Sequence, residues 1–492
     1  MVDSEGPDDP GSLTPRQRRA LTRVSSDRSI IATLAGVGLV ASFMQTLVTP
    51  IYPRLPELID APAADVSWVL TATLLAAAIS TPISGRLGDM YGKRRMLLVL
   101  LALLVAGSVI CSLSFSLIPL VVGRVLQGFG LGVIALGISV LRDVIHPKNL
   151  GGAVALVSAT LGVGGAVGLP IAATIAQYSD WHWLFWLAAT LGLLGILAVA
   201  RIVPVSTLRT GGQFDFLGAV GLAVGLVGIL LGVSKGSEWG WASPVTLALL
   251  VGGLLVLIGW GFFEVRHPHP LVDLRVAARR PVLLTNLTSI SVGFAFFVVS
   301  ASLPIVLEAS PATGFGMGLP LILASLCLMP LGLVMFLLSP VAARLSAARG
   351  PRTSLILGTA IIAVGFILAV FFLDEIWHVI LVSTITGIGV GFAYAAMPTL
   401  IMRAVPPNET AAANGLNSVM RTLGSTLSAT LVGVILATHV VSLGGTEVPT
   451  REAFSVVFVM GAGVVLAGLL LAVFIPRRTQ NYDTASIPVQ RG

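Results

Sequence analysis

The sequence predicts an all-α polytopic membrane protein with 14 transmembrane helices. Hydrophobic residues make up 55% of the 492 residues, charged residues only 10%, and the mean hydropathy is +0.97. Soluble globular proteins have roughly a quarter of charged residues, so a bilayer is the solvent that this composition fits. The apolar runs show no alternation of polar and apolar residues, which argues against a closed β-barrel.

Each of the fourteen apolar runs is close to the length of about 20 residues that crosses a bilayer core as a helix. We number the runs as spans 1 to 14 and keep these numbers below. The predicted ranges are 29–52, 66–84, 96–115, 117–141, 151–177, 183–201, 216–234, 244–263, 282–306, 317–340, 353–373, 378–402, 410–438 and 454–475.

The basic residues predict the orientation of the chain. Fourteen spans put both termini on one side, and 24 of the 29 Lys and Arg residues lie on that side. The positive-inside rule therefore predicts cytoplasmic tails at 1–28 and 476–492. The Ala-, Gly- and Arg-rich composition favours a bacterial source, and hence the bacterial plasma membrane. Because the positive charge follows the topology, we expect no nucleic acid as a partner.

The chain contains an internal repeat. GRLGDMYGKR at 85–94 aligns without gaps to ARLSAARGPR at 343–352, and NLGGAVA at 149–155 resembles NETAAAN at 408–414. Internal repeats in a polytopic membrane protein indicate a transporter whose halves rock around a central site. We predict two six-helix bundles with pseudo-two-fold symmetry, 29–201 and 282–475. The pair 216–263 is then an insertion that lies beside the bundles and does not line the cavity.

Three motifs carry a family resemblance. Two are the glycine-rich segments GRVLQGFGLG at 123–132 in span 4 and GVGGAVGLPIAA at 162–173 in span 5. The third lies between spans 2 and 3 and consists of Gly85, Leu87, Gly88, Asp89, Gly92, Lys93 and Arg94. Through these motifs the chain resembles the major facilitator superfamily, and within it the fourteen-helix drug:proton antiporter branch, over essentially its whole length. The third motif matches the most specific signature, G-x-L-a-D-r-x-G-r-k, with Met90 at a usually basic position, and Leu169 departs from the signature of span 5.

The resemblance implies a cytoplasmic gate around Asp89. A carboxylate is stabilised near the positive N-terminal end of a helix. The family pattern implies that Asp89 meets the start of a helix from the other half and latches the cytoplasmic side shut. The alternative is that Asp89 caps only its local turn. Arg86, Arg142 and Asp143 are further candidate members of this gate.

The glycines of span 5 form the antiporter motif implied by the resemblance. Gly164 and Gly168 are four residues apart, a spacing that lets membrane helices approach closely. Packing is the simpler interpretation, and Pro170 is a candidate point of bending during transport.

Two polar residues inside span 4 are candidates for energy coupling. The resemblance assigns Arg124 a role in proton coupling, with Gln127 about one turn away; the alternative is a lock onto carbonyl groups at helix ends. Most proton-coupled members of the branch carry an acid in span 1, whereas Leu47 stands at that position here. The candidate proton-binding groups are therefore Glu57 and Asp89.

Span 13 carries a polar stripe that we predict to face a substrate cavity, together with Gln45 and Thr49 of span 1. The alternative is hydrogen bonding between neighbouring helices. With Arg residues but no deep carboxylate in the spans, we expect neutral or anionic amphipathic substrates and a poor response to organic dications. The stripe consists of Asn414, Asn417, Ser418, Arg421 and Ser425.

These observations predict a secondary active transporter that exports drugs, antibiotics or metabolites by alternating access in exchange for protons. The alternative is a transporter of a specific lipid or acidic metabolite. The sequence lacks a nucleotide-binding loop and a catalytic cluster, and its histidines are scattered over loops and span ends, so we expect no ATPase, no enzyme activity, no metal site and no cofactor. We expect a monomer surrounded by membrane lipids.

Overall fold

The computed structural model describes residues 26–205, 213–268, 270–443 and 446–477, so most of both predicted tails lies outside the described residues. Among the described residues, 14 helices are long and apolar enough to cross a membrane, which confirms the predicted number. The spans are Asp27–Thr46, Trp68–Tyr91, Lys93–Ser112, Leu117–Val144, Pro147–Tyr178, His182–Ile202, Phe216–Gly236, Pro244–Arg266, Arg280–Glu308, Leu321–Arg349, Pro351–Phe371, Ile376–Ala404, Pro407–Thr438 and Arg451–Val473.

Two spans are interrupted and several short elements connect the others. Span 4 consists of Leu117–Gly130 and Val133–Val144, and span 10 of Leu321–Leu337 and Ser339–Arg349. The sequence did not predict the β-hairpin between spans 13 and 14. The short α-helices are Leu55–Leu58, Ala63–Val66 and Leu274–Ala277; the 3₁₀ helices are Tyr52–Arg54, Pro311–Thr313 and Pro407–Glu409; and the antiparallel strands are Val440–Leu443 and Thr446–Pro449.

The α-helix of span 1 ends at Thr46, so the span is shorter than the predicted range 29–52. Pro50 lacks the N–H group that would donate to the carbonyl of Thr46, so the helical hydrogen bonding cannot continue. The chain then leaves the span through turns and the 3₁₀ helix Tyr52–Arg54. This break separates the residues after position 50 from the axis of span 1.

The charged segment between spans 2 and 3 is almost entirely helical, although we predicted a loop there. Span 2 continues to Tyr91 and span 3 begins at Lys93, so only Gly92 interrupts the helix, with a φ of 106°. The aligned Gly350, with a φ of 86°, separates spans 10 and 11 in the same way. Glycine adopts this backbone conformation without the steric cost that a side chain adds.

The two halves also repeat an arginine contact. Arg94, at the start of span 3, donates a hydrogen bond to the carbonyl of Ala200 near the end of span 6. The aligned Arg352, at the start of span 11, donates to the carbonyl of Val473 at the end of span 14, with an N–O distance of 2.5 Å. The buried apolar residues form two large clusters, drawn mainly from residues 30–203 and 292–475, and the division into two six-helix bundles stays a prediction.

The inserted pair is anchored by Lys235, which we predicted to lie in the outer loop. Lys235 is instead part of the helix of span 7 and only 2% exposed. Its ammonium group donates to the hydroxyl of Ser67 and, at 2.7 Å, to Glu238, and it lies 5.2 Å from the centre of the Trp68 ring. The nearby carboxylate and aromatic ring compensate the charge, which explains why a lysine is buried here.

Span 7 contacts one helix from each half. Near the C-terminal end of its helix, Ser234 contacts Thr71 of span 2, and the two hydroxyl oxygens are 3.3 Å apart. On its other side, the hydroxyl of Thr430 in span 13 donates to the carbonyl of Val233 at 2.9 Å. Span 8 packs on span 7 and remains largely exposed. The inserted pair therefore lies along the edge at which spans 2 and 13 meet.

This position predicts that the inserted pair does not line the substrate path. A cysteine that replaces Val224, a residue 53% exposed on span 7, should react with a membrane-soluble maleimide at the same rate with and without substrate. The matched control is Gln45→Cys, an exposed position of span 1 where we expect substrate to slow the reaction. Both variants need Cys111 and Cys327 replaced by alanine. Protection at position 224 by substrate would contradict the prediction.

Candidate functional site

The carboxylate of Asp89 joins the two halves of the chain. Asp89 is 1% exposed, and its Oδ2 accepts hydrogen bonds from the backbone N–H groups of Ala411 at 3.1 Å and Ala412 at 3.0 Å. Both donors belong to the first turn of the α-helix of span 13, Thr410–Thr438. Unpaired N–H groups and the helix dipole make such a terminus a favourable site for an anion.

Lys93 connects this carboxylate to a second acid. Its ammonium group donates to Asp143 Oδ1 at 2.9 Å and to the hydroxyl of Thr410 at 3.1 Å, and lies 3.5 Å from Asp89 Oδ1. All three charged side chains are buried. One cation therefore faces two carboxylates, and the positive helix terminus compensates the remaining negative charge. We name Asp89, Lys93, Asp143 and Thr410 the latch.

The two predicted arginines of this region lie beside the latch. The guanidinium group of Arg142, at the end of span 4, is 3.4 Å from the carbonyl oxygen of Val405, which follows span 12. Arg86 is 6% exposed, interacts electrostatically with Glu409, and has a buried Nε that makes no hydrogen bond. Arg142 thus makes a second polar contact between the halves at the same end of the molecule.

Glycines allow spans 2 and 13 to meet at backbone distance. A Cβ atom on Gly85 would lie 2.6 Å from the carbonyl oxygen of Ala411, and a Cβ atom on Gly415 would lie 2.9 Å from that of Thr81. Any side chain at these positions would force the two helices apart. Gly88 has the same role against span 4, where its Cβ atom would be 2.6 Å from Leu136.

Arg124 is buried and satisfied by oxygen acceptors from three spans. It is 1% exposed, and it donates to the carbonyls of Val69 in span 2 and Met44 in span 1, both at 3.2 Å. It also donates to Gln127 Oε1 at 2.8 Å, and the Gln127 amide donates to Ser108 of span 3 at 2.8 Å. These contacts are those expected of a lock onto backbone carbonyls.

Glu57 lies away from Arg124, which differs from our expectation that it reaches the same depth. It is exposed on the short helix Leu55–Leu58, and in the described chain no ion pair or hydrogen bond joins it to Arg124. The neighbouring Leu55 and Ile59 are buried in the core of the first half, so the Glu57 side chain points away from that core. Asp89 is also distant, because about 20 helical residues, or roughly 30 Å, separate it from Val69.

The residues of the polar stripe of span 13 lie in different environments. Asn417 is 1% exposed, and its amide donates to Asn286 Oδ1 at 3.0 Å and to Ser289 at 2.5 Å, so it lies between spans 13 and 9 and does not line a cavity. Complementary polar groups on span 9 account for this difference from the prediction. The amide of Asn414 donates to Ser139 of span 4 at 3.3 Å, and its Oδ1 is buried without a partner.

Arg421 is half-buried beside an aromatic pair. It donates to the hydroxyl of Ser418 at 3.2 Å, and its guanidinium carbon lies 4.9 Å from the centre of the Tyr394 ring, a cation–π geometry. The Phe296 ring is 6.1 Å from that of Tyr394. Sequence analysis missed Tyr394 and Phe296, because aromatic residues within apolar runs look like any other packing residue.

The remaining predicted residues lie on spans 1 and 5. Gln45 and Thr49 are exposed near the end of span 1, and no described side-chain hydrogen bond connects them to Arg421. Gly164 and Gly168 pack on span 1, since a Cβ atom there would lie 2.2 Å from Ser42 and 2.7 Å from Thr46. The helix of span 5 continues through Pro170, so a bend at this residue stays a prediction. Ser425, the last residue of the polar stripe, donates to the carbonyl of Gly293 in span 9 at 3.1 Å.

The fourteen spans and the polar contacts between two repeated halves define a polytopic transport protein. A family model of the Major Facilitator Superfamily matches residues 34–429 and 332–490. The chain belongs to this family.

Individual proteins and structures support the same placement. The Multidrug resistance protein B homolog of Mycobacterium tuberculosis (strain ATCC 25618 / H37Rv) is 25% identical, with 98% of this chain and 97% of that protein aligned. The Lincomycin resistance protein LmrB of Listeria monocytogenes is 26% identical over 91% of this chain and 96% of its own length. Two solved structures share the fold. The human organic anion transporter MFSD10 has a TM-score of 0.63 and 14% identity, with 91% of this chain and 99% of that one covered. The proton:xylose symporter XylE has a TM-score of 0.63 and 15% identity, with 92% of this chain and 97% of that one covered.

The latch geometry yields a prediction for Asp89→Asn. Asparagine keeps an oxygen acceptor but loses the charge, and hydrogen bonds to charged groups are worth about 1.5–3 kcal/mol, so transport should fall by about tenfold or more. Because the glycines still allow close packing, the yield and monodispersity of the purified protein should stay near wild type. The control is Asp60→Asn, an exposed acid between spans 1 and 2. Asp89→Asn with wild-type transport would rule out a role for the latch.

Proposed function

We propose that the chain is a secondary active transporter that exports hydrophobic or amphipathic small molecules by alternating access. The latch is the observation that carries the proposal. Buried charges from spans 2, 3 and 4 meet the N-terminus of span 13 at a single end of the molecule. The resistance proteins aligned above support export as the direction of transport.

The proposal assigns the described conformation to an outward-facing state. The positive-inside rule supports a cytoplasmic location for the latch and the Arg142–Val405 contact. With these contacts formed, the cytoplasmic ends of the two halves are held together. Opening toward the cytoplasm then requires that Asp89 leave the N–H groups of span 13, and differential binding of substrate or proton to the two states must supply that free energy.

The environment of Arg421 supports neutral and anionic amphipathic substrates. A half-buried guanidinium group attracts a negative group, and the Tyr394 and Phe296 rings offer an apolar surface next to it. An organic dication would face electrostatic repulsion at this position. The same chemistry would also accept a specific acidic metabolite, which is the second candidate function.

A dye panel tests this function and separates the two candidates. Cells that express the protein should accumulate less of an anionic amphipathic dye, such as anilinonaphthalene sulfonate, and less of a neutral hydrophobic dye than cells without it. Arg421→Gln should lower export of the anionic dye by about tenfold, the equivalent of about 1.4 kcal/mol, and affect the neutral dye less. Unchanged accumulation of every dye, with unchanged drug tolerance, would favour the specific metabolite or lipid.

We further propose that protons drive export and that Arg124 is required for coupling. Proteoliposomes loaded with substrate should release protons as the wild-type protein transports. Arg124→Lys keeps the charge but loses the planar set of donors that reaches Val69, Met44 and Gln127, so proton release should drop by about tenfold. Glu57→Gln, at an exposed position, serves as the matched control and should stay near wild type.

The outcomes of this measurement are distinct. Wild-type protein that transports without moving protons would overturn the antiport proposal and leave a uniporter or another coupling ion. Loss of proton release in Glu57→Gln, together with normal release in Arg124→Lys, would transfer the coupling role to the short helix after span 1.

A further inference from the structure

Two buried carboxyl groups lie close together where the inserted pair begins and ends. Asp215, just before span 7, is 4% exposed, and Glu264, in the last turn of span 8, is 1% exposed. Asp215 Oδ1 accepts from the N–H of Gly218 at 2.7 Å, and Glu264 Oε1 accepts from the N–H of Val272 at 2.7 Å. Each carboxyl group thus uses one oxygen to hold a backbone segment.

The other two oxygens of the pair face each other. Asp215 Oδ2 and Glu264 Oε2 are buried and accept no hydrogen bond. A Cβ atom on Gly218 would lie 2.3 Å from the first oxygen and 2.7 Å from the second, so both border the same small space, which only a glycine leaves open. Two carboxylates that share one buried site cannot both stay ionised without strong repulsion. A proton held between them relieves this repulsion.

The surrounding charges compensate the pair only in part. His267, directly after span 8, has its Nδ1 3.6 Å from Asp215 Oδ2. Arg275 donates to the carbonyl of Val265 at 3.0 Å, and Asp273 accepts from backbone N–H groups of its own short helix. The titratable and charged groups on the elements packed around the pair are Arg86, Arg266, His267, Asp273, Arg275, Arg279 and Glu409.

The segment held by Glu264 borders a cavity at the start of span 13, whose N–H groups bind Asp89. We name residues 268–280, without the undescribed position 269, the strap. Leu271 and Val272 of the strap are 1% and 3% exposed, and they pack in one cluster with residues of spans 2 and 13. Further along, Arg279 donates to the carbonyl of Ala404 at the end of span 12 at 3.2 Å. The strap therefore connects the inserted pair to both halves.

A small cavity separates the strap from the start of span 13. Its volume is about 200 Å³, and its lining includes Arg86 of span 2, Glu409, and Ala412, whose N–H group binds Asp89. Movement of the strap would widen this partly open cavity and expose more of the start of span 13 to water. The strap is thus placed to protect the contact between the two halves.

We propose that Asp215 and Glu264 form a shared proton site that fastens the strap over the latch, so that loss of the proton at higher pH loosens the strap. Without the proton, two negative charges face each other, and the carboxyl group of Glu264 can no longer stay beside Asp215 and hold Val272. The inference goes beyond the proposed export function, since it concerns control of the contact by pH.

The test measures strap opening in the full-length, detergent-solubilised protein with Cys111 and Cys327 replaced by alanine. A cysteine that replaces Val276, which is 8% exposed in the strap, reports opening through its rate of reaction with a maleimide. The rate is divided by that of Ala278→Cys, an exposed strap position, which removes the pH dependence of the thiol itself. From about pH 6 to about pH 9, the ratio should rise about threefold or more.

Two variants neutralise one acid each and keep the backbone contacts. Asn in Asp215→Asn still accepts from Gly218, and Gln in Glu264→Gln still accepts from Val272. Both should give a low ratio that does not change with pH. The matched control, Asp273→Asn, changes another acid in the strap that caps a helix, and should keep the wild-type rise.

Hydrogen exchange at the amide of Val272, corrected for its intrinsic pH dependence, provides a second measurement that needs no substitution. Its protection should fall in the wild type over the same pH range. A wild-type ratio that is constant with pH, or a rise of wild-type size in both Asp215→Asn and Glu264→Gln, would overturn the proposal. The proposal would also be overturned if Asp273→Asn lost the rise of the rate ratio with pH while Asp215→Asn and Glu264→Gln kept it.

Discussion

The carboxylate of Asp89 at the N-terminus of span 13 is the interaction on which the rest of the structure depends. A charge buried this deeply needs compensation, and the N–H groups of Ala411 and Ala412 provide it together with Lys93. The part that comes from these N–H groups exists only while the two halves touch. The same group that would be costly to bury alone therefore favours the closed arrangement, and the glycines at positions 85 and 415 let the backbones come close enough for it to form.

Other buried polar contacts hold each half together, as the proposed alternating access requires. Arg124 ties spans 1, 2 and 4 together through backbone carbonyls, and Arg94 and Arg352 close each bundle by joining its third helix to its last. These bonds stay within one half. The polar contacts between halves are fewer and concentrate at one end, which is the division of labour that rocking bundles require.

Much of the fold follows from the sequence because membrane helices must satisfy their own backbone hydrogen bonds. The number of spans and the repeat depend on local composition and spacing, which the sequence shows directly. The contact of Asp89 with the other half was expected only because of the family resemblance. Helix ends were harder, since the charged residues after Ser84 extend span 2 beyond the apolar run, while Pro50 cuts span 1 short.

The site residues were predicted less well, because their role depends on partners from distant parts of the chain. Nothing in the sequence indicated that Asn417 would bind Asn286, or that Glu264 would meet Asp215. Lys235 was placed in a loop because a lysine inside a span is costly, yet Ser67, Glu238 and Trp68 offset that cost. Tertiary partners decide these cases.

The contact of span 7 with both span 2 and span 13 makes the seam between the halves asymmetric. Where spans 2 and 13 meet, span 7 covers the seam. Where spans 5 and 10 meet, the halves contact each other directly, with Gly162 against Gly332. Under the proposed alternating access, span 7 would have to slide along at least one of its two neighbours when the halves tilt. The covered edge would then move as a sliding joint and the uncovered edge as a hinge, and a lipid-soluble molecule in the bilayer would reach the seam at the uncovered edge.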